Sequence, residues 1–147
     1  MAIVQTQNGK SAAGGTVLHY GANWTASGSE PSTVSETSLF QNPGGSAAGP
    51  LDVSNFEEGV ILVNVTAISG AAATLTIKVY AVDSAGTRYT ALVTRTVTAT
   101  GASRDIVPVP QQNPGSTGPM GNFIEVTKTF TGTTPTCTAT VELQVKT

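Results

Sequence analysis

Apolar and polar residues alternate along the stretch from Thr136 to Lys146. Successive side chains of a β-strand point to opposite sides of the sheet, so alternation with a period of two places all the apolar positions on one face. The apolar positions here are Cys137, Ala139, Val141, Leu143 and Val145. The stretch therefore predicts a strand with one face in a core and the other in solvent.

Related patterns upstream predict further strands. The stretch 60–68 is almost continuously apolar and rich in β-branched residues, which is typical of a central strand covered on both faces. The other strand-like stretches are 74–81, 88–100, 104–109 and 122–130, with turn-forming residues at 69–71, 83–87 and 132–135. Helical periodicity is nearly absent. The pattern predicts an all-β fold, an antiparallel β-sandwich or jelly-roll-like domain over residues 59–147.

The first 58 residues differ in composition, being rich in Gly, Ser, Ala, Asn and Pro. Apolar residues there form only short islands, and the stretch 41–50 contains too many turn formers for a helix or a central strand. We expect residues 1–58 to form an extended, loop-rich N-terminal arm with one or two short strands, around Val17 and within 33–40.

Three large apolar side chains in this arm are candidate anchors: Trp24, Leu39 and Phe40. Aromatic and aliphatic side chains bury large apolar areas and often dominate the energy of a contact. They would hold the arm either onto this domain or, as partner contacts, onto a neighbouring subunit. The sequence leaves both alternatives open.

Charged residues make up 11% of the chain, whereas an ordinary soluble domain has about 25%. The formal net charge is −2 and the few Lys and Arg residues are scattered singly. A nucleic-acid-binding protein needs a basic patch to neutralise phosphates, so we expect no nucleic-acid partner. No apolar run is long enough for a membrane helix, and the first residues lack the features of a signal peptide. We therefore expect no membrane partner and synthesis in a cytoplasm.

Residues suited to catalysis are scarce. His19 is the only histidine and lies in the arm, which is a poor place to hold a catalytic group rigidly. Sequence motifs of a serine-hydrolase elbow, a zinc protease and a phosphate-binding loop are absent from the chain. Cys137, the only cysteine, falls on the apolar side of its strand and is interpreted as a small core residue. We expect no enzymatic activity and no cofactor.

Two further groups were considered as sites. Asp52, Glu57 and Glu58 cluster in sequence, but their spacing fits no loop that would encircle a calcium ion, so no metal site is predicted. Tyr80 and Tyr89 flank a hairpin loop, and we expect them to meet on its exposed face. Cross-strand packing explains such a pair better than sugar binding does.

The order of these parts resembles small β-sandwich virion proteins of tailed bacteriophages. The resemblance lies in Gly59–Thr66, in the strand pair Thr74–Val93 and in the step Thr96–Gly101, and it continues to the final alternating strand. It implies a capsid decoration, or cement, protein that binds the major capsid protein on the outer surface of the shell. By the same resemblance the protein would be a trimer located on the virion and assembled in the host cytoplasm.

An alternative is a receptor- or carbohydrate-binding β-sandwich module of a phage tail or another surface. Such a module would use the same scaffold and recognise its ligand through loops, for which the stretch 111–121 is the candidate. A small hydrolase is the third alternative, and the missing histidines and nucleophile motif argue against it.

Overall fold

A computed structural model describes residues 2–12, 15–26, 36–41, 47–53, 58–107 and 123–146. Side chains are described from residue 36 onward within these ranges, except at Glu58 and Lys146. All the regular structure in these ranges is β-strand, which confirms the all-β class. The strands are β1 Ala2–Ala12, β2 Gly15–Ala26, β3 Thr37–Ser38, β4 Leu51–Asp52, β5 Glu58–Val82, β6 Arg88–Val97, β7 Gly101–Ile106 and β8 Phe123–Lys146. None of the described residues forms a helix long and apolar enough to cross a membrane.

Two long strands, β5 with 25 residues and β8 with 24, form the spine of the fold. They pair antiparallel along their whole lengths, from Glu58 opposite Lys146 to Val82 opposite Phe123. The start of β5 and the end of β8 are flanked by β7 and by the β2–β1 hairpin, a set called here the first half-sheet. The end of β5 and the start of β8 are flanked by β6, β3 and β4, called here the second half-sheet.

The spine bends where the sequence predicted turns. The β5–β8 register shifts between Val65 and Thr74, and the backbone has positive φ at Gly70 (109°) and Gly132 (141°). A Cβ atom on Gly132 would come within 2.9 Å of the Cα atom of Ala73, so the two strands lie very close together here. The prediction of turns at 69–71 and 132–135 was therefore wrong, because the same residues lie within two continuous strands and bend them together.

Both half-sheets contribute to one hydrophobic core. The alternating stretch of β8 is confirmed, because its five apolar residues from Cys137 to Val145 are at most 2% exposed. Burial also raises the pKa of the Cys137 thiol to about 11, which keeps it protonated and unreactive at neutral pH. The other core residues of the long strands are Ile61, Val63, Val65, Ala73, Leu75, Ile77, Val79, Ile124, Val126 and Phe130.

An ion pair between Arg95 of β6 and Asp105 of β7 lies at the rim of the core, where these two strands border it. Arg95 lies opposite Ile77 and Asp105 lies opposite Ile61, so both charged residues stand on the side of the sheet that faces the core. Arg95 Nε donates to Asp105 Oδ2 at 2.7 Å, and Nη2 donates to Oδ1. The planar guanidinium and the carboxylate match in a two-bond arrangement, which joins the outer strands of the two half-sheets.

The N-terminal stretch contains more strand than the predicted loop-rich arm. β1 and β2 form a hairpin, and β2 pairs with β8 from Val17 opposite Lys146 to Ala26 opposite Cys137. The backbone N–H and C=O groups of β2 form hydrogen bonds with those on the side of β8 that faces away from β5. This pairing accounts for strand structure in a Gly- and Ser-rich sequence. A separation of residues 1–58 from residues 59–147 stays a prediction, and the candidate loop 111–121 lies outside the described residues.

Candidate functional site

The densest group of charged side chains in the described residues lies on the outer surface of the second half-sheet. It consists of Glu36, Lys78, Tyr80, Arg88 and Glu125, and is called here the carboxylate cluster. The sheet register creates the cluster, because Tyr80 lies opposite Glu125 and its near neighbour Val82 lies opposite Arg88. Glu36 is the residue that precedes β3. Four separate segments of the chain therefore meet at this point.

Glu36 accepts hydrogen bonds from three side chains of β5 and β6. Lys78 Nζ lies 2.7 Å from Glu36 Oε1, and the Tyr80 hydroxyl donates to the same carboxylate at 2.8 and 2.9 Å. Arg88 Nη1 lies 3.3 Å from Oε2. The Tyr80 ring also lies near both cations, with its centroid 5.8 Å from Lys78 Nζ and 5.4 Å from Arg88 Cζ. Glu36 is thus held against the sheet by the cations of Lys78 and Arg88 and by the phenol of Tyr80.

Glu125 is the buried member of the cluster, with 7% of its side chain exposed. Arg88 binds it through two atoms, Nε at 2.7 Å from Oε2 and Nη2 at 3.0 Å from Oε1. The Ser38 hydroxyl of β3 donates to Oε1 as well. A buried carboxylate needs such partners, because an unpaired charge out of water is very costly. Arg88 bridges the two carboxylates and so couples β3 to β6 and β8.

Both carboxyl groups of the cluster have a pKa below the ordinary value. For Glu36, burial raises the pKa, but the hydrogen bonds from Lys78 and Tyr80 and the charges of Lys78 and Arg88 together outweigh burial and lower it. For Glu125, the hydrogen bond from Arg88 lowers the pKa more than burial raises it, and Ser38 lowers it further. A general acid needs a raised pKa so that it holds a proton near neutral pH. The geometry therefore fits a structural tie of β3 to the sheet.

The tie makes stability depend on pH. A carboxyl group whose folded pKa lies below its unfolded value stabilises the fold above the unfolded value and loses that contribution as pH falls through the folded one. We expect the free energy of unfolding to fall as pH is lowered below the ordinary glutamate value of 4.5. Urea unfolding measured from pH 7 to pH 3 should show a shallower decline for Glu36→Gln than for the wild type.

The matched control for this experiment is Arg104→Gln, which changes one exposed charge that forms no ion pair with the described residues of its own chain. It should keep the wild-type pH dependence. All variants are measured at a protein concentration low enough to keep copies of the chain apart. An unchanged slope in Glu36→Gln would show that the cluster does not tie β3 to the sheet.

A second candidate lies on the outer surface of the first half-sheet, where β7, β5 and β8 run side by side. It is an open depression of about 500 Å³, called here the β7 trough. The side chains that line it from these strands are Leu62, Asn64, Ala102, Arg104, Thr140 and Glu142. Ile106 stands beside it with 70% of the residue exposed.

Charge in the β7 trough is arranged in one row across three strands. Arg104 and Glu142 each lie opposite Leu62, one on either side of it. Gln144 Nε2 donates to Glu142 Oε1 at 2.8 Å. Among the described residues, none forms a hydrogen bond or ion pair with the Arg104 side chain. The row therefore offers one unpaired cation, an apolar centre and one carboxylate.

The candidate anchors of the arm are found in different places. Leu39 and Phe40 are 2% and 0% exposed and belong to the core of this chain, which is the first of the two alternatives left open by the sequence. Trp24 lies in β2 opposite Ala139. Its side chain is outside the described part of the structure, so a partner contact by Trp24 stays a prediction.

The other groups considered from the sequence form no described site. No three residues of the metal-binding types come together among the described residues, and the side chains of Glu57, Glu58 and His19 lie outside them. Tyr80 and Tyr89 are not directly opposite each other, because a register shift leaves Tyr80 opposite Ala91. The Tyr89 hydroxyl instead donates to Asp83 at 3.0 Å.

Sequence reasoning missed Glu36, Arg88, Glu125 and Arg104. The sequence feature that could have pointed to these residues is that charged residues interrupt the Thr-rich polar faces of predicted strands. No protein-family model, curated protein or solved structure matches the chain.

Proposed function

We propose that this protein is a structural virion protein, a decoration or cement protein that binds the major capsid protein and stabilises the outer surface of a tailed-phage capsid as a trimer. The proposal rests on the sequence resemblance of Gly59–Thr66, Thr74–Val93 and Thr96–Gly101 to such proteins. Its assembly would take place in the host cytoplasm, and the working protein would lie on the virion surface.

The use of charge in the described domain supports a binding role. Most of the described charged side chains hold the fold together, either in the carboxylate cluster or in the Arg95–Asp105 pair at the rim. The remaining outer surface is mostly neutral, with exposed Thr66, Thr138 and Thr140 along the first half-sheet. Such a surface suits contact with a large neutral protein face, since charged residues are depleted at the centres of protein interfaces.

The structural observation that supports the proposal is the position of β1. Among the described strands, the order β1-β2-β8-β5-β6 places β1, a strand of 11 residues, at one edge of the sheet. An edge strand presents a row of backbone N–H and C=O groups that pair readily with a strand of another chain. We propose that β1 accepts a strand of the capsid shell in this way.

The test is co-sedimentation of the purified full chain with empty capsids of the phage that encodes it, prepared without this protein. We expect saturable binding and a higher temperature of shell disruption. Free protein that stays in the supernatant at every capsid concentration would contradict the proposal.

Gln5→Pro and Thr6→Pro give a matched pair of variants for the same assay. Successive residues of an edge strand direct their N–H groups alternately to the neighbouring strand and outward, and proline removes the donor. One of the two variants should keep the wild-type stability and lose attachment, whereas the other should lose hairpin stability. Full attachment by both variants would exclude β1 as the contact.

A second candidate function is a carbohydrate- or receptor-binding module, which the β7 trough favours. Asn64, Arg104 and Glu142 place an amide, a guanidinium and a carboxylate around Leu62, and such groups form hydrogen bonds with sugar hydroxyls. Binding on a glycan array that is lost in Asn64→Ala, without attachment to capsids, would favour this function over the first.

A further inference from the structure

The β7 trough has a charge pattern that is complementary to itself. Adjacent strands are about 4.8 Å apart, so Arg104 and Glu142 stand about 10 Å apart on either side of Leu62. A twofold contact requires each surface to match a copy of itself. A surface with a cation on one side of an apolar centre and an anion on the other meets that requirement.

When the strands of the two facing copies are aligned, the twofold axis between them lies either parallel or at right angles to β5, and the charges distinguish these two arrangements. A twofold axis parallel to β5 through Leu62 places Arg104 of one copy over Glu142 of the other, twice. An axis at right angles to β5 places Arg104 over Arg104 and Glu142 over Glu142, which is repulsive. Like charges brought together in an interface are strongly unfavourable, so the first arrangement is selected.

The apolar groups of the face supply the area to be buried. Leu62 and Val60 are half-buried at the centre, Ala102 is exposed beside them, and Ile106 is 70% exposed at the end of β7. A large apolar side chain left in solvent next to half-buried ones marks a contact surface. Asn64 would face its own copy, where two side-chain amides have donors and acceptors for each other.

We propose that two copies of this chain associate face to face through the β7 trough, about a twofold axis along β5, with Arg104 and Glu142 forming two reciprocal ion pairs. This contact goes beyond the proposed function and does not depend on attachment to a capsid. It is also separate from a threefold contact, since a trimer that used it would associate with a second trimer.

The test uses single charge reversals in the full chain, measured by sedimentation equilibrium. Arg104→Glu and Glu142→Arg each bring like charges together, so each variant should self-associate at least about tenfold more weakly than the wild type. Ile106→Asp should also weaken the association, because it removes apolar area from the contact. At the same concentration, the wild-type species should have a larger average mass than the single variants, approaching twice theirs where the variants no longer associate.

Mixing the two reversed variants separates a lost contact from a damaged fold. In the mixture, the two substituted positions carry opposite charges and would face each other, as would the two positions left native, so paired species should reappear. The double variant Arg104→Glu/Glu142→Arg should associate like the wild type. Equal masses for the wild type and both single variants, or no complex in the mixture, would overturn the proposal.

Discussion

Gly132→Ala is expected to lower the free energy of unfolding by about 3 kcal/mol, because it combines backbone strain with a collision. The residue has a φ of 141°, a region that alanine rarely adopts. An added Cβ would lie 2.9 Å from the Cα atom and 3.1 Å from the N atom of Ala73. Both atoms belong to the backbone of β5, so neither moves aside without opening the bend in the spine.

Substitutions at two other glycines distinguish the cost of backbone strain from the cost of the collision. Gly86 has a positive φ of 86° with open space around it, so Gly86→Ala should cost only the strain, about 1 kcal/mol. Gly49 has open space and no positive φ, so Gly49→Ala should change stability little. Urea unfolding followed by circular dichroism gives the three values. If Gly132→Ala costs no more than Gly86→Ala, the two strands are not tightly apposed at the bend.

Phe40→Ala is the second substitution with a large expected effect, a loss of about 3 to 5 kcal/mol. The residue is 0% exposed and belongs to the core cluster together with Leu39, Leu51 and Val53 of the same short segments. Removing the ring leaves a cavity that the surrounding strands close only in part. The loss should appear in the isolated chain at any protein concentration, since Phe40 packs within its own chain.

Ile106→Ala is the matched control, because Ile106 is a large apolar residue that is 70% exposed. Its removal should change the stability of the unassociated chain by no more than about 0.5 kcal/mol. Phe40→Leu should fall between the two. A small loss for Phe40→Ala in the isolated chain, with a large loss of partner binding, would return Phe40 to the partner-contact role considered from the sequence.

The strands themselves were predictable where one face is buried. The period of two between Cys137 and Val145 identified both the strand and its inner face, since apolar alternation has no other simple cause. The loop 83–87 was also correct, and Asp83 caps it by accepting hydrogen bonds from the backbone of Ala85 and Thr87. These features depend on a few neighbouring residues, so the local sequence determines them.

The bends of the spine could not be distinguished from chain reversals. Gly70 and Gly132 both have a positive φ, which glycine adopts readily. A glycine of this kind is found in turns and in bends alike. The difference is that β5 and β8 bend together while they stay paired. The continued pairing of β5 and β8 involves two segments distant in sequence, so the local sequence of either segment does not predict it.

The carboxylate cluster was unpredictable for a related reason. Glu36 and Glu125 meet only because Arg88 reaches both, and the register that brings Arg88 there includes irregular pairings. Lys128 is a stronger case: it lies opposite Ile77 on the core side and is 1% exposed, although a lysine normally indicates a solvated position. The position of such a charged residue depends on the residues that the fold brings next to it, and the local sequence does not identify them.

The position of β8 bears on how the chain is made. β2, β3, β4 and β5 all take β8 as a partner, and β8 comes after every one of them. During synthesis β1 can pair with β2, and β5 can pair with β6 and β7, before β8 is made. The backbone groups that pair with β8 stay open until residues 123–146 have left the ribosome. The sheet is therefore expected to be completed late, and a nascent chain stalled before residue 123 should be a ready substrate for proteases.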